Sequence, residues 1–302
     1  MGAPVATLPR PAPVAAVALA LAAVYLVWGS TYLGIRLALE GGWPPLLMAG
    51  GRFVLAGGLL FAVLRLRGVR PPTRAQWPSV AVMGVAMMAL GNGLVTIAEQ
   101  WVSSGLAAVA VASMPLWMGV FGAMRGRWPT GLEAIGLGVG FVGVVWLNAH
   151  GTLQSEPRGL VALLVATIAW AWASVWSRGR DLPPPFMSAA AQMLVGGAAM
   201  LLVALLRGES FAGTPTWSST LWVGYLVVFG SIIGFTAYVW LLDNVRPALA
   251  GSYAYVNPVI AVLLGGWIAA ERFSMHDLGA MVVVLSGVVA ITFGRARLKA
   301  VS

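Results

Sequence analysis

The most regular feature of the chain is the alternation of long apolar stretches with short segments rich in proline, glycine and arginine. A helix needs about 20 mostly apolar residues to cross the roughly 30 Å hydrocarbon core of a bilayer. Cutting the sequence at its polar segments leaves ten stretches of this kind. We therefore predict an all-α integral membrane protein with ten transmembrane helices, over residues 14–36, 44–64, 77–98, 103–124, 130–148, 158–177, 186–206, 219–242, 247–269 and 275–294.

The composition favours a membrane protein and leaves little chain for a soluble domain. Of the 302 residues, 60% are hydrophobic and 9% are charged, and the mean hydropathy is +0.88, which is not typical of soluble globular proteins. The chain has no cysteine, so disulfides, thiol catalysis and cysteine metal sites are excluded. We expect neither a metal nor a cofactor.

The basic residues predict how the chain is oriented. The net charge is +9, but the arginines stand in short clusters between apolar stretches. We therefore expect membrane lipids as partners and no nucleic acid. Thirteen of the 18 basic residues fall at one set of helix ends and four at the other, and arginine-rich short loops stay in the cytoplasm. This predicts a multi-pass protein of the bacterial inner membrane with the tails 1–13 and 295–302 in the cytoplasm.

Three landmarks recur in order at a nearly constant offset, which indicates an internal duplication. Trp28-Gly29-Ser30-Thr31-Tyr32 aligns with Trp172-Ala173-Ser174-Val175-Trp176, Pro115 aligns with Pro258, and Gly143-Val144-Val145 aligns with Gly287-Val288-Val289. Each half holds five predicted helices, an odd number, so the second half must be inverted relative to the first. We predict two inverted five-helix repeats, over 14–148 and 158–294, around a central cavity near the bilayer midplane.

These features resemble a known family. The WGSTY segment at Trp28, the helices containing Pro115 and Pro258, and the short Glu271-Arg272-Phe273 connection make residues 14–294 similar to the drug/metabolite transporter superfamily, in its ten-span EamA-like branch. The resemblance implies export of small metabolites, commonly amino acids, by alternating access. The aromatic-rich chain looks most like the YddG-type exporters of aromatic and other apolar amino acids. A small-molecule substrate is then the expected partner, and a monomer is compatible with this arrangement.

Two prolines and two glycines are candidates for helix breaks and gating. Pro115 and Pro258 lie about halfway along their predicted helices. Proline lacks an N–H, and its ring clashes with the carbonyl four residues earlier. In a bilayer the freed carbonyls need protein or a water-lined cavity, so we predict that both prolines break helices beside the site. A packing kink gives the same pattern. Gly230 and Gly234 could let the eighth helix slide or bend.

Aromatic residues are the first candidates for the cavity wall. Trp28 with Tyr32, and Trp172 with Trp176, are spaced i to i+4, so each pair presents one helical face. The faces could offer π surfaces to an amino-acid side chain or cation–π contacts to its ammonium group. Trp170 is equally deep in its helix. Tryptophan and tyrosine also form belts at membrane interfaces, which is the alternative interpretation.

Few polar residues lie inside the predicted helices. Arg52 is the only basic residue well inside a predicted helix. Placing an arginine there costs at least about 2.5 kcal/mol on insertion scales. It could receive a substrate carboxylate or bond backbone carbonyls. Gln192 is its repeat mate, and Asn257 is the preferred polar contact. The predicted substrate-binding residues are Trp28, Tyr32, Arg52, Asn92, Met114, Trp170, Trp172, Trp176, Gln192 and Asn257.

The acidic residues limit the mechanism. Glu99 and the other carboxylates fall near the ends of the predicted helices, whereas proton-coupled carriers usually depend on a carboxylate or histidine inside the membrane. We therefore predict gradient-driven export without an ion-coupling residue. A multidrug carrier and a nucleoside or nucleotide-sugar carrier are the alternatives, and the latter needs several cations for phosphates. An intramembrane enzyme would need a deep nucleophile, metal site or carboxylate pair, so we expect no catalytic residue.

Overall fold

The structure is a computed structural model that describes residues 13–101, 110–147, 156–269 and 275–293. Within these ranges a helix occupies the place of each of the ten predicted spans. The helices are α1 (Val14–Glu40), α2 (Pro45–Leu66), α3 (Trp77–Ala98), α4 (Ala110–Met124), α5 (Gly131–Leu147), α6 (Pro157–Trp176), α7 (Pro185–Leu206), α8 (Trp217–Asn244), α9 (Pro247–Gly251 and Tyr253–Ala269) and α10 (Met275–Phe293).

Six of the described helices are long and apolar enough to cross a membrane by length and composition, namely α1, α2, α3, α6, α7 and α8. Apolar stretches of α4, α5 and α10 are shorter within the described ranges. The helix bounds support a multi-pass protein, while the count of ten spans and the inversion of the halves stay predictions. The tails and the Glu271-Arg272-Phe273 connection lie outside the described residues.

Two helices of the two halves, α2 and α7, end in the same way. The residue after each helix cap is a glycine with positive φ, 80° at Gly68 and 68° at Gly208. The amides that follow reach back into the last turn, from Val69 to the Leu64 carbonyl at 3.0 Å and from Glu209 to the Ala204 carbonyl at 2.9 Å. This pattern is the Schellman motif, which glycine forms without steric cost.

Glycines allow two helix pairs to pack closely, α2 against α7 and α5 against α10. A Cβ atom added to Gly50 would lie 2.9 Å from the Gly197 carbonyl oxygen, and one added to Gly136 would lie 2.7 Å from that of Gly287. On Gly287 it would lie 2.5 Å from the amide nitrogen of Gly140. Small residues permit such backbone approach in a bilayer, so the Gly136-x-x-x-Gly140 motif serves packing.

The remaining helices enclose the centre of the molecule. Helix α1 packs on α8 and α9, and α6 packs on α3 and α4. Helix α3 also packs on α7, and α8 on α2. Contacts between the two halves therefore hold the centre together, and no helix of this group packs within its own half alone.

Each of the helices α3 and α8 contains a π-helical segment of ten residues, over Gly84–Gly93 and Leu226–Phe235. A π-helix bonds residue i to i+5, is rare, and often marks a functional site. The segments lie at similar places in the two halves and face the centre. Sequence analysis did not predict them.

The helix interruptions differ from the prediction. In α4 a turn at Ser113 breaks the helix, and Pro115 lies in the first turn of the piece that follows. In α9 the helix continues through Pro258, so the predicted break there is wrong. The interruption falls at Ser252, whose hydroxyl donates to the Leu249 carbonyl at 2.7 Å and lies 2.6 Å from the Tyr25 hydroxyl. Such local side-chain bonds compete with the helix.

Hydrogen bonds between loops distinguish the two ends of the helix bundle. At one end Gln76 donates to Asp181 at 2.8 Å, and Arg125 donates to the Val175 carbonyl at 3.1 Å. At the other, Glu209 accepts from the amide of Leu46 at 2.9 Å. We call the first the arginine-rich end, because it holds Arg67, Arg70, Arg74, Arg125, Arg127, Arg178, Arg180 and Arg246.

Candidate functional site

A cavity of about 80 Å³ lies between helices of both halves, and we call it the central cavity. Ligand pockets usually start at about 300 Å³, so the central cavity is smaller than a typical ligand pocket. Its wall includes residues of α1, α2, α3, α4, α6, α8 and α9. The predicted residues on it are Trp28, Tyr32, Arg52, Asn92, Met114, Trp170, Asn257 and Gly230.

Five aromatic residues from four helices form a continuous cluster, the aromatic floor. The Trp28 ring lies 5.6 Å from Trp170, 5.2 Å from Tyr238 and 4.6 Å from Tyr253, measured between centroids. The Phe235 ring lies 6.2 Å from that of Trp170. Edge-to-face and tilted pairs at such distances are favourable beyond the area they bury. All but Tyr238 line the central cavity, so Tyr238 lies behind the wall.

Polar contacts fix the rings of the aromatic floor. The Trp28 indole N–H donates to the Gly230 carbonyl at 2.9 Å, and the Tyr238 hydroxyl lies 2.8 Å from that of Ser174. A Cβ atom on Gly234 would lie 2.4 Å from the Trp28 Nε1. Gly234 therefore leaves the space in which the Trp28 indole packs against α8, and Gly230 supplies the carbonyl that it bonds. Their predicted gating role stays a prediction.

The aromatic floor lies on the side of the central cavity that faces the arginine-rich end. On α6, Trp170 is nearer that end than the wall residue Thr167. On α9, Tyr253 is nearer to it than Asn257. The same order holds on the other helices of the floor, so a packed aromatic layer separates the central cavity from the arginine-rich end.

The opposite part of the wall is polar and incompletely hydrogen-bonded. Arg52 is 4% exposed, and its Nη2 donates to the Asn92 side chain at 3.1 Å. Its Nε and Nη1 have no hydrogen-bond partner among the described residues, and neither has the Oδ1 of Asn257. Buried polar groups without partners are costly, so this wall suits a ligand that supplies the missing partners.

Sequence analysis missed Glu99 as a neighbour of this wall. Glu99 follows the last residue of α3 and interacts electrostatically with Arg52, Arg36 and Tyr32. Burial raises the pKa of Glu99 to about 8, against the opposing effect of the two arginines. A position at the end of a helix does not reveal where a side chain points. Glu99 nevertheless lies at the end of α3, as predicted, and transport without ion coupling stays a prediction.

Three predicted residues lie away from the central cavity. Trp172 is 38% exposed and stacks on Trp176 with centroids 5.6 Å apart, so this pair does not line the wall. The cavity face of α6 is instead Ala166, Thr167 and Trp170, because a shift of two residues turns a side chain to the far side of a helix. Gln192 is fully buried, but its amide nitrogen donates to Ser188 of the same helix at 2.8 Å and lies 3.6 Å from the sulfur of Met83 on α3.

The two predicted prolines adjoin the wall without lining it. Met114 precedes Pro115 and Asn257 precedes Pro258, and both neighbours are wall residues. Phe53, Met88, Thr167, Phe235 and Tyr253 line the wall as well but were not predicted. Among the described residues no group of three or more histidine, cysteine or acidic side chains is placed to hold a metal ion.

Comparisons of the sequence with a family model and with individual proteins agree on one family. The sequence model of the EamA-like transporter family matches residues 15–149 and again residues 157–293. The inner membrane transporter YedA of Escherichia coli K12, named as uncharacterized, is 44% identical over 277 residues, which cover 91% of this chain and 90% of YedA.

More distant relatives agree. The uncharacterized transporter YvbV of Bacillus subtilis is 26% identical, over 90% of each chain. A solved crystal structure superposes with a TM-score of 0.79 at 23% identity, covering 94% of this chain and 99% of its own. That likeness shows a shared fold.

Proposed function

The chain belongs to the EamA-like transporter family, and from this premise we propose that it exports small neutral organic solutes that carry a carboxylate, first among them aromatic and other apolar amino acids. It is a multi-pass inner-membrane transporter rather than an enzyme. The proposed binding residues are those of the central cavity. We propose further that two inverted repeats give alternating access to that cavity.

The observation that carries the substrate proposal is Arg52. A guanidinium that is 4% exposed and has two nitrogens without a partner matches the planar, bidentate geometry of a carboxylate. The free Oδ1 of Asn257 can accept from an ammonium group. Trp28 and Trp170 offer π faces to an apolar side chain. With one arginine on the wall, a solute with several phosphate charges is disfavoured.

Two observations support the repeat and the alternating access. The same family model matches each half separately. Corresponding helices of the two halves also make corresponding contacts. Helix α1 packs on α9 as α6 packs on α4, and α3 packs on α7 as α8 packs on α2. Inverted repeats of this kind typically enclose a site near the bilayer midplane. The small volume of the central cavity fits an occluded stage between openings to either side.

Flux through proteoliposomes tests the substrate. Purified protein is reconstituted, and a panel of radiolabelled amino acids is followed together with the corresponding amines, which lack the carboxylate. We expect saturable flux of aromatic amino acids. In Arg52→Gln the half-saturation concentration should rise roughly 10- to 100-fold, since a charge-assisted bidentate pair is worth about 1.5–3 kcal/mol.

The amines provide the control within the same experiment. Their flux should be weak in both proteins and little changed by Arg52→Gln, because they offer Arg52 no anion. Arg158 is an exposed arginine at the end of the helix bundle away from the arginine-rich end. Arg158→Gln should leave amino acid flux unchanged. If no amino acid moves, or if Arg52→Gln affects acids and amines alike, the proposed substrate class is wrong.

A further inference from the structure

A second cavity of about 550 Å³ lies at the arginine-rich end, and we call it the arginine-lined cavity. It is formed by the end of α4, the 125–130 loop and the start of α5 from the first half, and by Arg178 and the start of α9 from the second. Its volume is within the range of ligand pockets, about 300–1,000 Å³. The central cavity is separate, beyond the aromatic floor.

The charged side chains on its wall are three arginines and one glutamate, Arg127, Arg178, Arg246 and Glu133. Both carboxylate oxygens of the glutamate already have partners. One oxygen of Glu133 pairs with Arg246, and the other accepts from the Thr130 amide at 2.8 Å. Glu133 therefore neutralises Arg246, and the described residues of the wall include no second carboxylate for Arg127 and Arg178.

Arg178 lacks a full set of partners. Its Nη2 donates to the Val245 carbonyl, but its buried Nε has no hydrogen-bond partner among the described residues. Burial and the positive charge of Arg127 lower the pKa of Arg178 to about 10, against the opposing interaction with Asp243. The described residues contain no carboxylate within salt-bridge distance of either Arg127 or Arg178.

We propose that the arginine-lined cavity binds a phosphate-bearing anion, held by Arg127 and Arg178. Guanidinium groups bind phosphate with paired, charge-assisted hydrogen bonds, and an anion here would fill the vacant Nε of Arg178. Trp128, on the same wall, is 77% exposed, as expected for a tryptophan at the level of lipid head groups. A phospholipid head group is thus one source of the phosphate, and a soluble phosphate ester is the other.

Native mass spectrometry of the full chain in neutral detergent tests the site. The protein is titrated with phosphatidylglycerol, with zwitterionic phosphatidylcholine and with soluble glycerol phosphate. We expect wild type to retain one phosphatidylglycerol in preference to phosphatidylcholine. Arg127→Gln/Arg178→Gln should weaken that binding roughly 25-fold, or about fivefold for each arginine. The matched control Arg67→Gln/Arg70→Gln removes two exposed arginines of the same end and should change it by less than about twofold.

The outcomes distinguish a phospholipid from a soluble phosphate ester as the bound ligand, and they also show when the proposal is wrong. Displacement of the lipid by millimolar glycerol phosphate identifies a site for soluble phosphate esters, whereas binding of phosphatidylglycerol without such displacement identifies a lipid site. If Arg178→Gln disturbs folding, Arg127→Gln alone still should weaken binding about fivefold, because the Arg127 side chain is exposed and has no hydrogen bond to another described residue. Equal loss in the site variants and the control pair, or no bound phosphate in wild type, overturns the proposal.

Discussion

The central cavity and the arginine-lined cavity differ in size, charge and the way their polar groups are satisfied. The central cavity, at about 80 Å³, has one arginine on an otherwise aromatic and amide-lined wall. The arginine-lined cavity, at about 550 Å³, has three. In the first, a buried guanidinium is left with vacant donors; in the second, Glu133 and Arg246 tie the two halves of the chain together. Binding of the solute is therefore proposed for the first cavity and binding of a phosphate for the second, and six variants test how the two regions differ.

The largest expected effect is at the aromatic floor. Trp170 is 7% exposed, and Trp170→Ala should lower the free energy of unfolding by about 3 kcal/mol through lost packing, the low end for a buried tryptophan because lipid replaces water as the alternative environment. Flux should be abolished. Trp172→Ala, two residues away on α6, should change stability by less than about 1 kcal/mol. Unfolding in detergent and flux in proteoliposomes measure both. Equal losses in the two variants would show that Trp170 does not differ from Trp172 in facing the central cavity, and that the assigned cavity face of α6 is wrong.

The next effect concerns the arginine-lined cavity. Glu133→Gln removes the partner of Arg246 and should cost about 2 kcal/mol of stability, less than for a fully buried pair because the Arg246 side chain is 29% exposed. Thr130→Ala removes the reciprocal side-chain cap of the same turn and should cost about 1 kcal/mol. Thermal unfolding in detergent separates the two. A Glu133→Gln protein no less stable than Thr130→Ala would show that the ion pair contributes nothing.

Tyr238, the member of the aromatic floor that lies behind the cavity wall, should show a smaller effect. Tyr238→Phe keeps the ring contacts with Trp28 and Trp170 but removes the hydroxyl that bonds Ser174. Ser174 keeps its bond to the Trp170 carbonyl, so the loss should be about 1 kcal/mol. Substrate affinity should not change, since the hydroxyl does not reach the wall. A shift in half-saturation concentration would mean that Tyr238 belongs to the binding site.

The smallest expected effect is a pH dependence of affinity. Glu99, with its pKa raised from 4.5 to about 8, is mostly protonated at neutral pH and becomes negative above about pH 8. A negative Glu99 competes with a substrate carboxylate for Arg52, so the half-saturation concentration should rise between pH 7 and pH 9 by less than tenfold. Arg36 and Tyr32 also interact with Glu99. Glu99→Gln should give a flat profile in flux measured with equal pH on both sides.

The same raised pKa has a consequence for stability. The folded protein holds the Glu99 proton more tightly than the unfolded chain, so its contribution is complete below about pH 4.5 and is lost as the pH rises through about 8. Glu99→Gln should remove that decline. A decline of equal size in wild type and Glu99→Gln would assign it to another group.

The helices could be predicted well, but the faces they present to the cavity could not. The apolar stretches between Gly- and Pro-containing loops place α2 and α7 within two residues of their observed ends. Trp170 and Trp172 are equally deep and equally apolar, and α6 is apolar on all sides. Periodicity therefore cannot tell which of them faces inward. Trp28 lines the central cavity, where Gly234 of α8 leaves room for its indole, and the sequence of α1 alone does not show that contact.

Other features depend on local hydrogen bonds, only some of which the sequence reveals. The π segments of α3 and α8 arise from backbone bonding that apolar composition does not encode. Gln192 was predicted by its alignment with Arg52, but the partner available to it is Ser188, four residues away on the same helix. Glu133, by contrast, could have been found, since Thr130-Gly131-Leu132-Glu133 before an apolar stretch is the signature of a capping box.

The aromatic floor also has an optical consequence. Two indoles, of Trp28 and Trp170, stand edge to face across the boundary between the halves, with the Trp28 N–H bonded to a backbone carbonyl. Any separation of the halves changes the polarity around these chromophores and the angle between them. The protein thus carries an intrinsic fluorescence and near-ultraviolet dichroism probe at the place where its two halves meet, and because the chain has 14 tryptophans the signal of this pair is the difference between wild type and Trp28→Phe.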